Sequence, residues 1–196
     1  MQAWARALVL TCIVAVFVPA APAAAQSDDG SEGTASHGGA EYGVEPAPIP
    51  RLTVPGDVAV LMEDGYAAAP ENAPPEVQEA IWAANGLQDK PYLYGGGHGT
   101  FDDEGYDCSG TVSFALFHAG LLRRSRDSSG FMRYGEKGKG QWITIYTNPG
   151  HAYMVIAGLR LDTSSAGAIT ATARGPRWRD TGRPKRGFKV RHPIGF

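Results

Sequence analysis

Apolar residues recur along this chain with two periods, and the order of those periods predicts its architecture. Val77, Ala80, Ile81 and Ala84 fall at i, i+3, i+4 and i+7 behind Pro74-Pro75, with Gly86 placed to cap the end. A short amphipathic helix is expected there. A second helix is expected from Cys108, because Val112, Ala115, Leu116 and Ala119 share one helical face and Gly120 can end it. Further on the period changes. Residues 142–147 alternate and are rich in β-branched side chains, 152–157 form a nearly continuous apolar run, and 159–163 follow across Gly158. Three extended segments are therefore expected, with a tight connection at Gly158 and residues 188–191 as a last strand. Helices first and an antiparallel sheet afterwards is the pattern of an α+β domain.

The flanking stretches read differently. Residues 1–25 begin with a single cation, Arg6, run through apolar residues 7–18 and finish in Pro22-Ala23-Ala24-Ala25. That is the layout of a secretory signal cleaved after Ala25, too short for a permanent membrane anchor, and Cys12 leaves with it. Residues 26–75 are rich in Gly, Ser, Ala, Pro and acidic side chains, with prolines at 46, 48, 50, 55, 70, 74 and 75. Such a stretch buries too little apolar surface to offset its ordering entropy, so a tether is expected. Within it, only residues 52–62, with Val54, Val58, Val60 and Leu61, have the makings of a strand packed on the domain. The folded domain is then expected over 76–196, and a hydrophobic content of 43% is enough for one core. Residues 123–140 are polar and contain glycine, which fits a surface excursion beside a cleft.

Charge narrows the partners. The net charge of −2 exerts no overall pull towards nucleic acid or an anionic membrane. Residues 173–196 are the exception, with Arg174, Arg177, Arg179, Arg183, Lys185, Arg186, Lys189 and Arg191 against Asp180 alone. Once the signal is removed, Cys108 is the only cysteine of an exported chain, so its presence calls for burial or chemistry.

The position of Cys108 favours chemistry. Asp107-Cys108-Ser109-Gly110 opens the second helix, where unpaired backbone N–H groups and the positive end of the dipole stabilise a thiolate. A nucleophile of this kind needs a base, and the base needs a polar partner to fix its tautomer. Of the five histidines, His37 lies in the tether, His118 near the end of the second helix and His192 in the basic tail. His98 sits in the glycine-rich loop 90–99, placed to touch a substrate. His151 opens the buried strand after Pro149-Gly150, on a rigid element facing the helix, and is the candidate base. Asp162, brought back by the turn at Gly158 as a near-opposite partner of His151, is the candidate orienting group. Taken singly, an inert thiol, a satisfied strand-end histidine and a solvated aspartate are each ordinary; together they describe a site. No Lys-Ser/Thr pair follows Gly95-Gly96-Gly97, which argues against a phosphate loop, and Cys108, His98, His118 and His151 match no common zinc spacing.

Pro91-Tyr92-Leu93-Tyr94-Gly95-Gly96, followed by Asp107-Cys108-Ser109-Gly110 and then Gly150-His151 before an apolar strand, resembles the NlpC-type bacterial cell-wall cysteine peptidases over residues 76–196. The resemblance implies a papain-like α+β fold, with the nucleophile at a helix start packed on an antiparallel sheet. It also implies hydrolysis of amide bonds in peptidoglycan stem peptides, without metal or cofactor. By the same resemblance Cys108 is the nucleophile, His151 the base and Asp162 the third polar residue, with Thr163 as the alternative. Tyr92 then matches the loop tyrosine beside the nucleophile, and Asp107 and Ser109 match positions that hold the substrate's free amino end. The usual Pro-Gly-Asp turn before the base-bearing strands is absent, replaced by residues 138–146.

The expectation is a secreted, extracytoplasmic cysteine endopeptidase acting on peptidoglycan peptides. Its basic C-terminal segment is either a contact for anionic wall polymers or a solvated face, and nucleic acid is not an expected partner. Two other functions use the same scaffold: a non-catalytic wall-binding module, and an amidase or acyltransferase employing the same Cys-His pair. Trp142 and Trp178 are expected to be packing residues.

Overall fold

Proline stands where a helix needs no hydrogen bond from it. Helix α1 (Pro75–Asn85) starts behind Pro74 with Pro75 in its first turn, where the missing N–H has no intrahelical partner to lose. In the computed structural model, which describes residues 48–164, 175–180 and 182–196, the expected stripe of Val77, Ala80, Ile81 and Ala84 is fully buried. Gly86 occupies the C-cap. The expected signal at 1–25, and the tether before residue 48, lie outside the described residues.

Helix α2 (Cys108–His118) is capped by Asp107, whose carboxylate accepts the Gly110 N–H at 2.7 Å. It ends with the Gly120 N–H on the Phe117 carbonyl and the Leu121 N–H on the Leu116 carbonyl, and with Gly120 at φ +72°. This pair of bonds satisfies carbonyls that the last turn would leave unpaired. Val112, Ala115 and Leu116 are fully buried and Ala119 is nearly so, as their spacing requires. Helix α3 (Ser128–Phe131) is a single turn.

Strands β1 (Thr53–Val54), β2 (Val60–Leu61) and β3 (Ala67–Pro70) form a small sheet in the order β1-β3-β2. The larger sheet has six strands: β4 (Glu136–Lys137), β5 (Ile143–Asn148), β6 (His151–Ile156), β7 (Leu159–Asp162), β8 (Arg177–Arg179) and β9 (Lys189–His192). Its order is β4-β9-β5-β6-β7-β8, antiparallel throughout. The fold is α+β. The last strand, β9, leaves the chain order to pair between β4 and β5. Ala157 and Gly158, both at positive φ, make the two-residue β6–β7 turn. Two positive-φ residues match the twist of the strands, so the expected tight connection is a hairpin with fixed register.

Alternation along the strands gives this sheet two unlike faces. Ile143, Ile145, Ala152, Met154, Ile156 and Leu161 form the core with the buried faces of α1 and α2. Thr144, Tyr146, Tyr153, Arg160, Asp162 and Arg179 alternate with these or with Trp178, so they belong to the other face.

Two stretches contribute more than their composition suggests. The tether expected to reach residue 75 is folded from Thr53 onward, and Ala67, Ala68 and Ala69 of β3 are buried. Alanine buries apolar surface at almost no side-chain entropy cost, so a run of small residues can pack where few large ones exist. The expected surface excursion at 123–140 carries Phe131, which is fully buried in the core.

Asn85, at the end of α1, ties three elements together. Its Oδ1 accepts the Ala67 N–H at 2.8 Å and the Trp178 indole N–H at 2.8 Å, while its Nδ2 donates to the Ala67 carbonyl at 2.9 Å. Asn85 and Trp178 are both buried, so Trp178 is a packing residue, as expected. Replacing Asn85 by alanine strands buried polar groups of β3 and β8. Asn85→Ala should therefore lower unfolding stability by about 3 kcal/mol in a urea titration. A loss of a few tenths would show that the amide does not bridge these elements.

Candidate active site

Backbone packing positions Cys108. The Asp107 N–H donates to the Gly96 carbonyl at 3.2 Å, and a Cβ at Gly110 would collide with that same carbonyl. Glycine is required at 110 because loop and helix meet backbone to backbone. Cys108 is thereby fixed in the first turn of α2, partly buried.

His151 is held from the strand side. Asn148 and His151 close the β5–β6 hairpin across Pro149-Gly150. Ser128 Oγ donates to the Pro149 carbonyl at 3.0 Å, and Thr147 Oγ1 donates to the Ser128 carbonyl at 2.5 Å. Thus α3, in the stretch expected to border the cleft, braces the turn that carries His151.

The side chains of Cys108 and His151 interact electrostatically, each favouring the other's charged form. His151 Nε2 lies 2.9 Å from Asp162 Oδ1, which leaves Nδ1 as the ring nitrogen for Cys108. The β6–β7 register pairs Met154 with Leu161, so one further step sets Asp162 across from Tyr153. His151 and Asp162 are accordingly diagonal neighbours on one face, within reach of a long side chain. They are not directly opposite.

Burial would raise the Cys108 pKa, but the hydrogen bond from His151 and a backbone hydrogen bond from Ala152 outweigh it and hold the thiol below its ordinary value. Burial would likewise lower that of His151, yet the hydrogen bonds to Asp162 and Cys108 push it up to about 9. The two directions agree: each group favours the charged form of the other, and the pair titrates as one unit. Burial also opposes ionisation of Asp162, and its bonds with His151, Ser164 and Arg183 overcome this and lower its pKa.

Asp162 has partners that the sequence reading did not anticipate. Arg183 Nη1 donates to its Oδ2 at 2.8 Å, and the Arg160 Nε lies 3.7 Å from the same oxygen. Arg183 also lies over the rings of Tyr153 and Phe188, at 4.9 and 5.3 Å from their centroids. Arg160 was readable, since period two places it on the face of Asp162. Arg183 was not, because a loop cation gives no local sign of a partner 21 positions away.

On the loop side, His98 Nε2 lies 3.1 Å from Asp107 Oδ1 and 3.2 Å from Ser109 Oγ, and Ser109 Oγ donates to Asp107 Oδ1 at 3.1 Å. The hydrogen bond to Asp107 raises the pKa of His98 against the effect of burial. Among the described residues Asp107 Oδ2 accepts only the Gly95 N–H, at 3.2 Å. Tyr92 is half exposed and bridges to Tyr106. Its phenol pKa is raised by burial and then by the nearby charges of Cys108 and Asp107. His118 lies apart from these groups, its ring 4.3 Å from that of Phe114 at the far end of α2.

Cys108, His151 and Asp162 thus meet on one side, and Asp107, Ser109 and His98 cluster beside them on the loop. Among the described residues no helix is long and apolar enough to cross a membrane.

No protein-family model matches the chain, and no curated protein matches its sequence. Solved structures with similarity include the peptidoglycan hydrolase RipB of Mycobacterium tuberculosis, at 21% identity over 62% of this chain and TM-score 0.45. Others are a hypothetical invasion protein of Mycobacterium tuberculosis, at 19% identity over 62% of this chain and TM-score 0.45, and NlpC1 from Trichomonas vaginalis, at 16% identity over 63% and TM-score 0.44. The matches span 66%, 63% and 45% of those chains, respectively.

The lowered Cys108 pKa sets the sign of a pH effect. As pH falls, alkylation of Cys108 by iodoacetamide should persist below the range of an ordinary thiol, which titrates at about 8.5. In His151→Ala the inflection should move up towards that value. Superimposable profiles would show that His151 does not stabilise the thiolate.

Proposed function

We propose that this protein is a secreted cysteine peptidase that hydrolyses amide bonds in the stem peptides of peptidoglycan. The observation that carries the reading is a cysteine at the start of a helix whose thiolate is favoured by His151, itself bonded to Asp162 at 2.9 Å. A thiolate alone makes a reactive cysteine; a thiolate with an oriented imidazolium makes an acyl-transfer site. The arrangement, a helix-borne nucleophile facing a histidine on an antiparallel sheet, fits the papain-like plan. The substrate class rests on the likeness of residues 91–96 and 107–110 to the NlpC-type peptidases.

In this mechanism Cys108 Sγ attacks the amide carbon, forming a carbon–sulfur bond while the carbonyl electron pair moves onto oxygen. The Cys108 N–H, in the first turn where a helix has no internal acceptor, is the candidate donor to that oxyanion. The imidazolium of His151 gives its proton to the departing amine, and the carbon–nitrogen bond breaks. Water then attacks the thioester with His151 as base, releasing the acid and restoring the thiol. Asp162 acts on His151 alone, fixing its tautomer and favouring its charged form. Neither metal nor cofactor enters these steps.

Tyr92, Asp107 and Ser109 are assigned to the substrate's amino end. Asp107 already caps α2, so Oδ2, with its single N–H partner, is the oxygen open to a ligand. Export by residues 1–25 and tethering by the stretch before residue 48 complete the proposal. Lys185, Arg186 and Lys189 are exposed and available to anionic wall polymers.

Mature wild-type protein should cleave purified muropeptides, and Cys108→Ala should not. Intact muropeptides alongside cosedimentation with cell walls would replace the peptidase by a binding module, and a transferred acyl group in the product would select an acyltransferase. Asp162→Ala should lower turnover by about 100-fold while iodoacetamide still modifies Cys108. Unchanged turnover would remove Asp162 from the orienting role.

A further inference from the structure

The face of the large sheet that carries His151 and Asp162 continues past them. Tyr146 of β5, Tyr153 of β6, Arg160 of β7 and Arg179 of β8 line a cavity of about 310 Å³ there, and the chain at Gly182, Arg183 and Lys185 forms part of its wall. A solvated sheet face carries polar side chains in water. Here Arg160 and Arg179 are only 2% and 9% exposed.

The charge lining this cavity is one-sided. Among the described residues, Lys139, Arg160, Arg179, Arg183 and Lys185 face Asp180, five cations to one carboxylate. Asp162 adds a second carboxylate beneath the wall, but it is already shared between His151 and Arg183. Burial lowers the pKa of both Arg160 and Arg179, and although Asp162 acts against this at Arg160, the Arg179 and Arg183 guanidiniums lower it further. Positive charge is therefore concentrated at a partly desolvated surface, where an anion gains far more than in water.

Two polar donors add direction. Among the described residues the Tyr153 hydroxyl and Arg183 Nε are buried without a hydrogen-bond partner, and Tyr153 itself is 1% exposed. An unpaired buried donor costs free energy that a bound acceptor would recover. Trp142, Tyr146 and Tyr153 supply flat apolar wall beside the charges. The volume sits at the lower end of ligand pockets, which run from roughly 300 to 1,000 Å³.

We infer that this cavity is a binding site for an oxyanion, the carboxylate or phosphate group of a small organic ligand, adjoining the His151–Asp162–Arg183 group but lined by none of Cys108, His151 and Asp162. Guanidiniums on β7 and β8 present planar N–H donors suited to two oxygens at once, and the Tyr153 hydroxyl donates alongside them. Lys139 and Lys185 stand exposed at the rim, where they draw the anion in. The aromatic wall then takes the body of the ligand. The site is independent of the peptidase reading, because it is read by binding alone.

The test uses the full chain carrying Cys108→Ala, so that its outcome does not depend on catalysis. The indole N–H of Trp142 reports on the cavity by NMR, and that of Trp178, bonded to Asn85 in the core, is the internal control. Inorganic phosphate or acetate should shift the Trp142 signal along a saturating curve, leave Trp178 in place, and act beyond any effect of chloride at equal ionic strength. Tighter saturation by phosphate assigns a phosphate ester, and tighter saturation by acetate assigns a carboxylate. A Lys139→Ala, Lys185→Ala double variant, changed only at exposed positions, should weaken binding about tenfold. Arg179→Gln should abolish saturation, with melting curves checking its fold. Equal linear drift of every indole with chloride and oxyanions, or an undiminished saturating response in the folded double variant, would overturn the proposal.

Discussion

A carboxylate with none of its side chain exposed must be fully partnered or lose its charge, and Asp162 is where that constraint organises the molecule. Its Oδ1 meets His151 Nε2 and the Ser164 N–H, and its Oδ2 meets Arg183. Breaking a buried pair by deleting one partner costs about 3–5 kcal/mol, because the remaining charge is left without compensation. His151, Asp162 and Arg183 therefore stand as a unit. The state of Cys108 follows from it, since an imidazolium held beside the sulfur is what favours the thiolate.

That unit is only as well placed as the hairpins that carry it. The two-residue turn at Ala157-Gly158 fixes the β6–β7 register, and a slip by one residue would send Asp162 to the apolar face. On the other side of β6, the bonds from Ser128 and Thr147 pin the turn before His151. The thiol is set by a different device, the close approach of Gly96 to Gly110. Cys108, His151 and Asp162 are thus each located by backbone geometry.

What was legible in the sequence was local. The stripe on α1, the run on α2 and the alternation from residue 142 onward each report which side of an element is buried, and the structure places these elements within one or two residues. The meeting of Cys108, His151 and Asp162 was also legible, because a helix start, a strand start and a hairpin turn each restrict where a side chain can be. Three features were not. β3 is built from alanines, whose burial produces no strong periodic contrast, and proline-rich surroundings concealed it. Asn85 was hidden because its three hydrogen bonds reach residues distant in sequence. The insertion of β9 between β4 and β5 is a long-range pairing, and a basic segment carries no sign of which sheet edge it will meet.

The basic segment also divides in a way that composition hides. Arg177 and Arg179 lie in β8, Arg183 lies against Asp162, and Lys185, Arg186 and Lys189 face solvent. The division matters for the chemistry of protons. Hydrogen bonds from His151 and Arg183 both lower the pKa of Asp162 and favour its carboxylate form. Had a second histidine or a lysine occupied that place, the proton could be shared across three titrating groups. With arginine there, the titrating partner of Asp162 is His151, which in turn acts on Cys108.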